Sequence, residues 1–336
     1  MGETISIIPL IKKEEIKTEV NKNPNDDNKY KDFNIKLRNP ILKINIHTSY
    51  IHCLTILNDG RLVSGSYDQS IIIYNKITIR PDLTIKEQDS PILCITTLSS
   101  GILATGSNNI KLYNIKRDNY ELLQTISYHI HSVTKIVELN NKNLISCSSD
   151  HSVIFYFKDK SEYKKDYKVP TNGGSYAVIQ TKDNEICYFC YDICFFDLLE
   201  RKIKSTIRNI NHLRSSRLSL IMLNKDLLLI PGENKMSIIN VNNYRLVRVI
   251  DVQGSGFIVG ATMLNETILL TSDYSKDIRQ WRIEGDNLIP TYKRENAHDG
   301  MINVLLSLGN GYFASGSYDK SIKIWWQKKF WNYINY

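Results

Sequence analysis

The stretch SGSYDKSIKIWW at residues 315–326 restates SGSYDQSIIIYN at residues 64–75, and weaker copies lie between them. A repeat of this length constrains the fold more than any local motif, because each unit must bury its apolar face against its neighbours. One aromatic or equivalent apolar residue marks each unit: Tyr74, Tyr113, Tyr156, Phe196, Ile239, Trp281 and Trp325. Their separations are 39, 43, 40, 43, 42 and 44 residues, a period of about 42.

Every unit holds two short apolar runs split by a polar turn, preceded by a further run such as HCLTIL, PILCITTL, SVTKIVEL, RLSLIML or MINVLLSL. Such runs, rich in Ile, Val, Leu, Tyr and Thr and bounded by Asn, Asp, Gly and Ser, are strand and turn signals. No segment within the repeats sustains a helical period, so the expected fold class is all-β. Three units keep the same polar residues in register. These are His47, Ser64, Asp68 and Tyr74; His129, Ser146, Asp150 and Tyr156; and His298, Ser315, Asp319 and Trp325, each with 21 residues from His to Asp and 6 from Asp to the aromatic.

On these residues and this period the sequence resembles the WD40 family, whose repeats form the four-stranded blades of a propeller. The resemblance implies a structural tetrad in each complete unit. The Asp accepts the imidazole N–H, the other ring nitrogen meets the Ser hydroxyl, and the aromatic edge closes the chain. In the second unit Gln88 and Asn108 stand where His and Asp would, and in the sixth Gly254 and Ser275 do; the fourth and fifth units lack the pattern. Asp277 aligns with Ser321 rather than with the turn Asp, so its replacement is expected to matter less than that of Asp319.

The expected architecture is a seven-bladed WD40-like β-propeller over residues 41–326, closed by an N-terminal strand, ILKIN at 41–45, that completes the last blade. Closure of this kind removes open sheet edges. Residues 1–40, charged and Asn-rich, read as a short flexible tail, disordered or weakly helical. Residues 327–336 form an aromatic tail whose Phe330, Trp331, Tyr333 and Tyr336 are expected to dock on a surface.

The chemistry expected of the chain is binding. No GxSxG elbow, HExxH or Walker lysine occurs, and the tetrads account for the Ser, His and Asp sets, so no enzyme, cofactor or metal is expected. Cys187, Cys190 and Cys194 form C-x2-C-x3-C, but no second ligand pair follows, and the thiols read as small apolar fillers of the fourth blade. The opening MGETISIIPLIKKEE lacks a basic lead and a continuous apolar core, and no run is long enough to span a membrane, so an intracellular chain is expected. The formal charge of +8 suits an acidic partner, yet no nucleic-acid motif accompanies it, and nucleic acid is not the expected ligand.

Two surfaces are candidates for other proteins. Tyr67, Tyr274 and Tyr318 stand at matching turn positions of the first, sixth and seventh units, on the face where WD40 domains take partners. Arg201, Lys202, Lys204, Arg208, Arg214 and Arg217 crowd one segment without an acid, which suits a phosphorylated or acidic peptide. The first surface points to a non-catalytic scaffold; the second, to the substrate-recognition subunit of a ubiquitin ligase.

Overall fold

A computed structural model describes residues 39–86, 89–208 and 219–327. The expectations for most of residues 1–40, for Gln88, Arg214 and Arg217, and for the aromatic tail lie outside these residues.

The described residues form seven four-stranded antiparallel sheets, and no helix occurs among them. The first comprises β2 (Ile51–Ile56), β3 (Leu62–Ser66), β4 (Ile71–Tyr74) and β5 (Pro81–Ile85). The next five follow in strict succession: β6–β9 over residues 94–126, β10–β13 over 133–170, β14–β17 over 177–207, β18–β21 over 221–251 and β22–β25 over 258–294. The seventh draws β26 (Ile302–Gly309), β27 (Tyr312–Ser317) and β28 (Ile322–Trp326) from one end of the chain and β1 (Leu42–Ile44) from the other. Leu42 pairs with Ile324 and Ile44 with Ile322, so a single ladder closes the ring.

Burial along each blade follows from its position in that ring. Middle strands have neighbouring blades on both faces: β3, LVSGS, and β4, IIIY, are buried at every residue. Outer strands border solvent, and β5 is buried only at Ile85. The core is accordingly divided into seven apolar clusters, each shared between adjacent blades. Ile44, Leu62, Tyr74, Ala314 and Ile324 bind the last blade to the first; Val63, Ile73, Ile92, Leu103 and Tyr113 bind the first to the second. The repeat-marking aromatics sit in these clusters, with Tyr74 and Tyr113 fully buried and Trp325 at 1% exposure. Each contributes about 2–3 kcal/mol through burial.

Close approach of first strands to second strands explains one feature of the opening motif. At Gly316 an added Cβ would lie 2.6 Å from Ile51 Cγ2 and 2.8 Å from Val304 Cγ1, so only glycine admits both side chains. The turn that follows places Lys320 at φ 67°, and the equivalent Gln69 and His151 adopt φ 68° and 60°. These left-handed residues carry the chain around the tetrad aspartates.

Candidate functional site

One face of the ring carries the turns between second and third strands together with the loops entering each first strand. The three complete tetrads lie beneath it. His47 Nδ1 is 2.9 Å from Asp68 Oδ2, its Nε2 is 2.6 Å from Ser64 Oγ, and Ser64 Oγ is 3.0 Å from the Tyr74 hydroxyl. The corresponding distances are 2.9, 2.7 and 2.9 Å for His129, Asp150, Ser146 and Tyr156. In the seventh blade His298 lies 2.8 Å from Asp319 and 2.6 Å from Ser315, and Trp325 Nε1 donates to Ser315 Oγ at 2.7 Å. The indole can only donate, so Ser315 in turn donates to His298 Nε2, and Nδ1–H donates to Asp319. One side chain thereby fixes the direction of the whole relay.

The aspartates accept more than the imidazole proton. Backbone N–H groups of Thr48, Ile130 and Asp299 donate to the same carboxylate oxygens, at 2.9, 3.1 and 3.1 Å. Ser70, Ser152 and Ser321 donate their hydroxyls to the other oxygen. Sequence reasoning overlooked these serines, although each follows its Asp by two residues. Burial alone would raise the carboxyls, but the hydrogen bonds outweigh it: Asp68 and Asp319 are held well below the usual range and Asp150 is lowered to about 2. Burial also lowers His129 and His298 against the pull of their aspartates. The relays of the third and seventh blades therefore rest as carboxylate and neutral imidazole, enclosed within the blade.

The sixth blade solves the same problem differently. Ser275 donates to the Gly254 carbonyl at 2.8 Å, and Trp281 Nε1 donates to Thr271 Oγ1 at 2.9 Å. Asp273 and Asp277 are both buried and share Arg279, whose Nε reaches Asp273 at 3.2 Å and whose Nη2 lies 3.9 Å from Asp277. Asp277 also takes Lys293 at 2.9 Å and the Asn296 N–H at 3.0 Å. The expectation that Asp277 matters little is therefore corrected: alignment with a serine concealed a buried carboxylate with three partners.

Above the tetrads of the first and seventh blades, aromatic rings gather. Tyr67 is 48% exposed and Tyr50 38%. The Tyr50 ring lies 4.2 Å from that of Tyr318 and 5.9 Å from that of Tyr67. His52 joins them, 5.8 Å from Tyr67 and 6.3 Å from Tyr318. Tyr274 packs edge-on against Phe257 at 5.4 Å. Tyr50 and His52 were not singled out from sequence; their two-residue spacing across Ile51, where a loop enters a first strand, is the signal that could have found them.

The basic segment differs from its linear appearance. Arg201 donates to both oxygens of Asp166, at 3.0 and 2.9 Å, and lies over the Tyr167 ring at 4.4 Å. Lys202 meets Glu200 at 2.8 Å, Lys204 meets Asp197 at 3.1 Å, and Arg208 lies 3.9 Å from Asp192. Each described cation of the segment thus faces a carboxylate, which corrects the view of an acid-free patch. Cys187, Cys190 and Cys194 are buried in the fourth blade, and no three His, Cys, Asp or Glu residues converge as metal ligands among the described residues. No described helix is long and apolar enough to cross a membrane.

The family model for the WD domain, G-beta repeat, matches residues 38–75 and 290–325. These matches cover the first and last repeats, which meet at the closure of the ring. No curated protein matches the chain.

Proposed function

The chain belongs to the WD40-repeat family, and from that premise we propose that it is a non-catalytic scaffold gathering other proteins on the aromatic face of its first and seventh blades. Propellers of this family generally serve as protein-interaction platforms. The observation that carries the reading is the cluster of Tyr50, His52, Tyr67 and Tyr318, where tyrosines are grouped and partly exposed above a rigid base. Tyrosine supplies wide contact area at small cost in side-chain entropy and is enriched among residues that dominate binding. The relays below hold the turns that bear these rings, so the surface is largely formed before a partner arrives. Six free thiols, all buried, accord with a reducing compartment.

The ubiquitin-ligase reading draws less support, because the described cations it relied on are already engaged. The test is crosslinking mass spectrometry on tagged protein captured from its native cells, comparing wild type with a Tyr67→Ala, Tyr274→Ala, Tyr318→Ala variant. The expected result is loss of a reproducible partner, its affinity falling about tenfold or more. An unchanged set of partners, from a variant that melts like wild type, would remove this face from the proposal.

A further inference from the structure

Residues of all seven blades ring a central channel of about 360 Å³. Lys135, on the first strand of the third blade, brings an ammonium group to its wall and forms no ion pair with any described residue. The groups around it do not offset that charge. Cys53 and Cys94 also line the channel, but burial pushes their thiols up, Cys94 to about 12, and both stay neutral at physiological pH. The serine and threonine hydroxyls of the wall are directed into the protein: Thr134 donates to the Ser175 carbonyl at 2.6 Å, Ser219 to the Val259 carbonyl at 2.8 Å, Ser149 to the Ser132 carbonyl at 3.3 Å and Ser132 to Asn108 Oδ1 at 3.4 Å. The channel therefore offers an ammonium to an anion more than it offers serine or threonine hydroxyl donors to a neutral polar ligand.

The channel is also continuous with the aromatic face. His52 lines the channel and touches the rings of Tyr67 and Tyr318. We propose that this channel receives a Glu or Asp side chain from an extended segment of a partner protein, the segment lying across Tyr50, Tyr67 and Tyr318 with its carboxylate against Lys135. The proposal rests on the reading of that face as the partner surface.

Magnitudes select a tethered carboxylate over a free one. A single accessible lysine–carboxylate pair contributes about 0–1 kcal/mol, too little to hold a small anion at ordinary concentrations. Carried on a segment that already covers the tyrosines, the same carboxylate enters without a second translational cost and into a less screened space. The formal charge of +8 favours the approach of an acidic segment.

The test uses an array of twelve-residue peptides, each printed twice, with Glu or Gln at its centre. It is probed with the full chain, with Lys135→Met, with Lys135→Arg and with a Tyr67→Ala, Tyr318→Ala variant. The expected result is about a tenfold preference of wild type for the Glu copies. Lys135→Met abolishes that preference, Lys135→Arg keeps it, and the tyrosine variant loses both copies. Equal binding of Glu and Gln copies, or a preference that survives Lys135→Met, overturns the channel site while leaving the aromatic face intact. A preference that survives in the tyrosine variant overturns the proposed lie of the segment and the face beneath it. Binding of free glutarate as strongly as the Glu peptides, or binding of no peptide, also overturns the proposal.

Discussion

Replacing Asp319 by Ala should loosen the seventh blade by an amount that the geometry allows to be worked out. The carboxylate accepts four hydrogen bonds: from His298 Nδ1 at 2.8 Å, Asp299 N at 3.1 Å, Ser321 N at 2.9 Å and Ser321 Oγ at 2.6 Å. Asp299 lies at the surface, where water can replace its acceptor. His298 and Ser321 are buried, and Ser321 Oγ lies 3.3 Å from His298 Nδ1, so the hydroxyl can turn toward the ring once the acid has gone. That turn cannot satisfy everything, because Trp325 already donates to Ser315 and opposes a reversed relay. Stranded buried donors cost about 1–3 kcal/mol each, so a net loss of about 2–4 kcal/mol is expected. For a domain of this size that lowers Tm by roughly 4–10 °C. Thermal melting and urea midpoints measure the loss, and amide exchange should quicken first in β27, β28 and β1. The loss also depends on pH. The folded Asp319 carboxyl titrates below its unfolded value, so its contribution is present above about pH 4 and disappears as pH falls through the lowered value. A Tm within about 1 °C of wild type at neutral pH would refute the assignment of the relay as a structural clamp.

Other outcomes follow from the same contacts. Gly316→Ala should destabilise by about 1–3 kcal/mol in urea unfolding, since its methyl would press on Ile51 and Val304. Asp277→Ala should cost about 2–4 kcal/mol, because Lys293, Arg279 and the Asn296 N–H lose a buried acceptor; a change below about 0.5 kcal/mol would return Asp277 to the role its alignment suggested. Burial raises Asp273 to about 6, so its contribution to stability is full below about pH 4 and lost as pH rises through about 6, opposite in sign to the tetrad acids. Unfolding midpoints of Asp273→Asn measured against wild type between about pH 4 and 7 should therefore move in the variant's favour as pH rises.

The architecture was open to sequence reading because its information is periodic. Strands of this ring are short, and each buried aromatic or equivalent apolar residue fills the same space between blades, so Phe196 and Ile239 keep the period even where the polar residues have gone. The fourth and fifth blades need no relay to fold, since Ile186, Tyr188, Leu228 and Leu229 are buried whether or not a histidine sits above them. What stayed hidden was interaction between segments far apart in sequence. Arg201 appears unpaired in a basic run because Asp166, its partner, belongs to the preceding blade. Tyr50 and His52 acquire meaning only when ring closure brings Tyr318 beside them. Asp277 was assessed by the residue it aligns with, whereas its weight comes from the cations that converge on it.

The ladder between Leu42 and Ile324 has a temporal consequence. A ribosome delivers the β1 strand long before its partner, and at about 5–20 residues per second the intervening chain takes roughly 15–60 s to appear. Through that interval the third strand of the last blade does not exist, and the first blade presents an uncovered flank where Ile51, Leu62 and Tyr74 will later meet Ala314 and Ile322. Six blades can stack in order as they emerge, each on the one before, while the ring stays an open arc. A nascent chain of this protein is thus exposed to chaperones or to mispairing throughout that interval, and a message truncated before residue 322 yields an arc that cannot close.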